Sequence, residues 1–368
     1  MTLTVLLTTA ILIGQADDNS DRYRKQCADI IAAKTQSGEG SRLWDLFEAN
    51  WEYRMIAMPE SATWRGYPGQ NHRWSDLSVT AIAGGKENAR QTLKAILSFD
   101  RAKLSEPNQL NYDLFRRDAE MAIERQQFPA EFLVLNQMDG LPRDVPSMIA
   151  MMPSVRTKDY EDILARLGGI PALVDQTIAL LQEGVTRGIV PPKIPLRTVA
   201  DQVSGQLHIG PMTTPMLSKF KNFPDTVPAA EQARLTEAAK VVYADEVRPA
   251  LKRLHLFLRD EYVPNCRTTV GRSALPNGRA WYDHQIKHYT TTTLGADEIH
   301  SIGLREVNRI RSEMETIRKQ VGFEGDLYGF FEFLRSDPQF YYNTAEELLA
   351  GYRDICKRAD PELTKLFR

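Results

Sequence analysis

Apolar residues in this chain fall at alternating intervals of three and four, and that spacing constrains the fold more than any other feature. Val307, Ile310, Met314, Ile317 and Val321 form such a stripe, the pattern of an amphipathic α-helix that buries one face. Leu235, Val242, Val247, Leu251 and Leu254 mark a long helical region over 229–262, with a break expected near Arg248-Pro249 because proline cannot continue the hydrogen-bond ladder. From Asp21 onward the chain reads as helix after helix. Ser41 is placed to cap a helix carrying Leu43, Trp44, Phe47 and Trp51, an aromatic face expected in the core. A further helix starts after Trp74-Ser75-Asp76-Leu77-Ser78, and another at Ser105-Glu106-Pro107, where serine precedes a proline in the first turn. Helices are also predicted over 159–167, 171–187 (ending at Gly188), 327–334 and 345–358.

Three stretches interrupt the pattern. Residues 59–75 hold Gly66, Pro68, Gly69, Asn71 and two tryptophans, a long ordered loop. In 128–153, Phe132-Leu133-Val134-Leu135 suits a short strand or a buried extended loop, and Asn136 to Gly140 suits a turn. Val190 to Pro195 is an extended, proline-rich connector. The expected fold is therefore mainly α, a large multi-helix domain with long ordered loops and one or two short strands at most.

Composition narrows the function. A formal net charge of −2 argues against nucleic-acid binding. Cys27, Cys266 and Cys356 are far apart and form no CxxC pair, so neither a disulfide scaffold nor a thiolate zinc site is indicated. At the start, Leu3 to Ile13 is apolar but too short to span a bilayer, and Gly14-Gln15-Ala16 supplies small residues for cleavage. A signal peptide over 1–16 and an exported protein, periplasmic or secreted, are expected, although no Lys or Arg precedes the apolar run. No second run approaches membrane length, so the mature chain is not expected to insert stably in a membrane.

The residues with most chemistry lie in 270–314. Leu275-Pro276-Asn277-Gly278 is a turn, followed by a short helix with Trp281, Tyr282, His284, His288 and Tyr289. His284 and His288 are four apart and share a helix face, the spacing of an HExxH zinc motif. Gln285 stands where the motif has its glutamate, and an amide cannot act as general base. Glu298 or His300 could serve as a third ligand, but no spacing demands it. Gly271-Arg272-Ser273 opens like a nucleophile elbow without its second glycine or preceding strand. No catalytic and no metal residue is assigned; Asn277, Gly278 and Tyr282 are the candidates for residues lining a cleft.

Several segments, taken in order, resemble the bacterial family DUF885. They are Arg73 to Ser78, Leu110 to Arg117, Asn136 to Gly140, Gly188 to Pro192, Leu275 to Gly278, Tyr289 to Thr293 and Glu298 to Val307. The resemblance implies a mostly helical fold around a deep cleft, frequent export, and a distant relation to gluzincin metallopeptidases that hydrolyse peptides or similar amides with zinc. Peptides are the partners it implies. The family's metal motif, a His-Glu pair followed by Pro-Gly-His-His, is absent from these 368 residues, so no cofactor is expected in this chain. Residues 17–368 are thus expected to form an incomplete domain lacking its C-terminal third and its catalytic centre. The competing expectation is a non-catalytic, exported peptide-binding or scaffold protein.

Overall fold

In the computed structural model residues 18–33 and 38–367 are described; the expected signal peptide lies outside them. The chain divides into two units, 1–290 and 291–368. The first begins with α1 (18–32), α2 (Glu39–Ala57), the short α3 (Pro59–Trp64), α4 (Val79–Ile96) and α5 (Glu106–Arg125). It continues with α6 (Leu141–Met151), α7 (Thr157–Gly168), α8 (Ile170–Thr186), α9 (Lys193–Leu196) and α10 (Val199–Leu207). It ends with α11 (Ala229–Val242), α12 (Arg248–Phe257), α13 (Val263–Asn265) and α14 (Gly278–Thr290). The second unit holds α15 (Ala296–Gln320), α16 (Leu327–Ser336) and α17 (Ala345–Leu366). Among the described residues there is no sheet, only an isolated parallel bridge between Pro192 and Arg267. The fold is all-α, as the periodicity requires.

Three hydrophobic clusters build the first unit. The largest gathers α6 to α13, with Ile149, Ile163, Val174, Leu181, Leu251 and Leu254 out of contact with solvent. A second joins α1, α2, α4 and α5 through Tyr23, Cys27, Leu43, Leu46, Ala95, Ile96 and Tyr112. A small third cluster of Phe128, Phe132, Leu180, Ile189, Leu275 and Trp281 seats the start of α14. The segment 132–135 is not a strand: a 3-10 turn over Ala130–Phe132 runs into coil, with Phe132 and Leu135 buried.

Buried arginines tie these parts together. Arg42, 1% exposed at its side chain, pairs with Glu39 at 2.9 Å and donates to the Ile30 carbonyl, fixing which face of α2 turns inward. That choice leaves Trp44 and Trp51 exposed, at 56% and 47%, instead of in the core as their spacing suggested. Arg166 reaches from α7 to the carbonyls of Gln70 and Arg73 and lies over Trp74, whose indole returns a bond to the Arg166 carbonyl at 2.7 Å. These contacts hold the loop after α3 in order without regular structure. Burial pushes the Arg166 guanidinium down to about 10, still charged at neutral pH.

Several local expectations are corrected. α2 starts at Glu39 after Gly38, so Ser41 is inside the first turn and caps nothing. Ser105 does precede α5, but its hydroxyl makes no capping bond. Gly188 ends α8 with φ of 68°, a backbone conformation glycine adopts without strain. The helix 229–265 does not break at Pro249: π turns over Tyr243–Val247 and Leu258–Tyr262 precede Pro249 and Pro264 and absorb them. The run 157–186 is long and apolar enough to cross a membrane by composition, but Tyr160, Ile163, Leu167, Ile170 and Val174 pack into the large cluster. In the second unit the 307–321 stripe, expected to be buried, is between 37% and 61% exposed.

Candidate binding cleft

The turn before α14 places an aromatic-rich helix face that borders a cavity. Gly278 donates to the Leu275 carbonyl at 2.8 Å and Trp281 to the Asn277 carbonyl at 3.0 Å. Asn277 sits at φ of 54°, tolerable for asparagine. Gly278 approaches the preceding loop so closely that a Cβ there would lie 2.1 Å from the Arg272 carbonyl oxygen. This contact sets the direction of α14. Trp281 then stacks on Phe128 at 5.6 Å with an interplanar angle of 12°, and the His284 ring lies 5.3 Å from Phe128.

One face of α14 opens on a cavity of about 870 Å³ within the first unit. Trp281, His284, Gln285 and His288 line it, the spacing of a single helix face, joined by Tyr289 and by Arg272 from the loop. Across from them stand Asn50, Tyr53 and Arg54 of α2, Thr92 of α4, and Phe115, Asp118 and Arg125 of α5. Met58 and Leu133 add apolar surface. Of the residues proposed from sequence, Asn277, Gly278 and Tyr282 are on this segment but do not line the cavity. Asn277 and Gly278 form the turn below it, and Tyr282, one residue past Trp281, is turned about 100° around the helix. The arginines were missed because three separate segments supply them; the only nearby signal was the failed Gly271-Arg272-Ser273 elbow.

His284 and His288 do share the cavity face, as their spacing demands. Burial of His284, only 9% exposed at its side chain, lowers its pKa and favours the neutral ring, with Glu124 at 3.7 Å opposing. Glu124 is itself paired: both its oxygens accept from Lys287 Nζ at 2.8 Å. Among the described residues no three His, Cys, Asp or Glu gather into a metal-binding group. Glu298 and His300 belong to α15 in the second unit. Zinc, which the resemblance implies for complete members, therefore does not fit the residues of this cavity. Cys27 and Cys266 are buried elsewhere, and burial pushes the Cys266 thiol up to about 12, so it is no nucleophile at neutral pH.

Residues 59–368 match the family described as bacterial protein of unknown function, DUF885. The chain belongs to this family. No curated protein matches it. Among solved structures it is similar to one described as "the putative lipoprotein from Colwellia psychrerythraea", at 18% identity and a TM-score of 0.67. That likeness covers 93% of this chain and 59% of the other, so the chain spans a little over half the length of its structural neighbour. At this identity the match speaks for the all-α fold of the DUF885 protein and for nothing finer.

Proposed function

We propose that this DUF885 protein holds a peptide in the cavity between α2, α4, α5 and α14, and that these 368 residues bind it without cleaving it. The lining supports the reading: an apolar floor of Trp281, Phe115, Met58 and Leu133, with histidine, amide, tyrosine and arginine groups spaced around it. Such a lining gives area to side chains and donors to a peptide backbone, and its volume is that of a typical ligand site. In the finer version, the chain is the substrate-holding part of a zinc peptidase or amidohydrolase whose metal motif is absent from this sequence. Export belongs to the same proposal, in line with the apolar N-terminal run and with the description of the neighbour as a lipoprotein.

Calorimetric titration of the full chain with a panel of short, unstructured peptides tests the binding, while chromatography of the same mixtures with excess chelator tests for cleavage. Saturable binding with intact peptide is expected. Absence of binding at millimolar peptide overturns the cleft reading; cleavage that persists with chelator overturns its non-catalytic half.

A further inference from the structure

Arg272 is an unusual charge for a half-buried position. Its guanidinium lies 4.8 Å from the centroid of the Trp281 ring, and among the described residues its side chain makes no hydrogen bond and no ion pair. The cation close to it, Arg267, is engaged by the backbone: Nε donates to the Val190 carbonyl at 3.0 Å, and Nη1 to the carbonyls of Gly271 and Thr269. Arg267 thereby clamps the loop that presents Arg272, and its own charge is disfavoured by burial and by the neighbouring Arg272 guanidinium. Desolvation lowers the Arg272 pKa, opposed by the Tyr289 phenol and by no carboxylate. A buried cation ordinarily has an anionic partner, since an uncompensated charge is costly away from water.

The rest of the cavity points the same way. Arg54 and Arg125 also line it, and neither has a carboxylate partner among the described residues; the lining's one carboxylate is Asp118. Glu124, the other acid nearby, is neutralised by Lys287. Three permanent cations against one anion, over an apolar floor, make a site for a ligand that is apolar on one side and negatively charged on the other. A guanidinium seated on an aromatic ring uses its flat face for the ring and leaves its N–H edge for a ligand. That edge is a planar fork whose geometry matches a carboxylate bidentately.

We propose that Arg272, seated on Trp281, is a carboxylate-recognition residue that anchors peptide ligands in the cleft. This rests on the peptide-binding reading above and adds the chemical group that is read. The carboxylate could belong to the C-terminus or to an acidic side chain of the ligand.

The test compares three acetylated tripeptides ending in phenylalanine: a free acid, its C-terminal amide, and an amide with glutamate at the penultimate position. N-acetylphenylalanine and its amide are titrated beside them, all by calorimetry against the full chain. The free acid is expected to bind at least ten-fold tighter than its amide. Recovery of affinity by the glutamate-containing amide assigns the preference to any carboxylate; failure to recover assigns it to the C-terminus. Arg272→Gln should erase the acid-over-amide difference, read as the ratio of the two affinities within the variant, and Arg272→Lys should restore only part of it. Equal binding of acid and amide by the unmodified chain overturns the proposal without recourse to a variant, and so does an acid preference that survives Arg272→Gln. If only N-acetylphenylalanine binds, and binds over its amide, the carboxylate site stands while the peptide reading falls.

Discussion

The two units of this protein use the same kind of helix to opposite effect. In the first, apolar stripes close onto one another: Leu251 and Leu254 of α12 are fully buried beside α8 and α10. In the second, α15 carries an equally regular stripe, yet among the described residues of that unit Phe330 alone is buried among the hydrophobics. Among the described residues the ion pair buried at both ends lies in the first unit. Arg42 and Glu39 meet out of solvent, whereas Arg309 bridges Glu306 and Glu313 on an open helix surface. Periodicity shows that a helix has an apolar side; it does not show what covers it.

The contrast can be broken by matched substitutions. Arg42→Ala leaves Glu39 buried without its counter-charge and should cost about 3–5 kcal/mol, whereas Arg309→Ala should leave the midpoint nearly unmoved because exposed pairs are screened. Urea midpoints followed by circular dichroism measure both, and similar losses would erase the distinction. Leu251→Ala should cost about 2–5 kcal/mol through the cavity it leaves, and Ile310→Ala within about 0.5 kcal/mol. An Ile310→Ala loss near that of Leu251→Ala would mean that the α15 face is covered in solution. Gly278→Ala should cost about 1–3 kcal/mol, because its methyl group can be housed only by moving the Arg272 backbone; an unchanged midpoint would show that the turn is pliable.

The smallest expected effect is the pH dependence from His284. Its pKa is lowered in the folded state, so the fold prefers the neutral ring. The contribution is fully present above the ordinary histidine value of 6.5, declines as pH falls below it, and levels off once the folded ring is also protonated. His72, lowered by burial too, acts with the same sign, so the effect is read as a difference. Melting temperatures between pH 8 and 5 should fall less steeply for His284→Gln than for the unmodified chain. Identical slopes would remove the buried-imidazole account.

Helix positions were largely legible in the chain, because spacing and end signals act locally: Gly188 closes α8 where a C-terminal glycine should. α6 was not legible, since Pro142 and Pro146 make 141–151 look like a break while the helix takes one proline into its first turn and carries the other inside. The inward face of α2 was not legible either, because Arg42, a charged residue, is what turns it. For the cleft, the shared face of His284 and His288 followed from their spacing. The arginines did not, because Arg54, Arg125 and Arg272 are brought to one cavity only by packing that no local pattern encodes.

The π turns ahead of Pro249 and Pro264 have a geometric consequence. The buried residues of that rod, Leu235, Ala239, Tyr243, Val247 and Leu251, follow one another at steps of four. In an ideal α-helix each such step overshoots a full turn by about 40°, so the seam would spiral away from the core within a few steps. A π turn takes up an extra residue and winds the seam back. The two widened turns thus act as a phase correction, keeping a continuous rod aligned along 229–265. Rewinding either into an ordinary α-helix with its extra residue kept would rotate everything that follows in the rod by about 100°, the loop that aims Arg272 included, whereas deleting that residue would leave the phase unchanged.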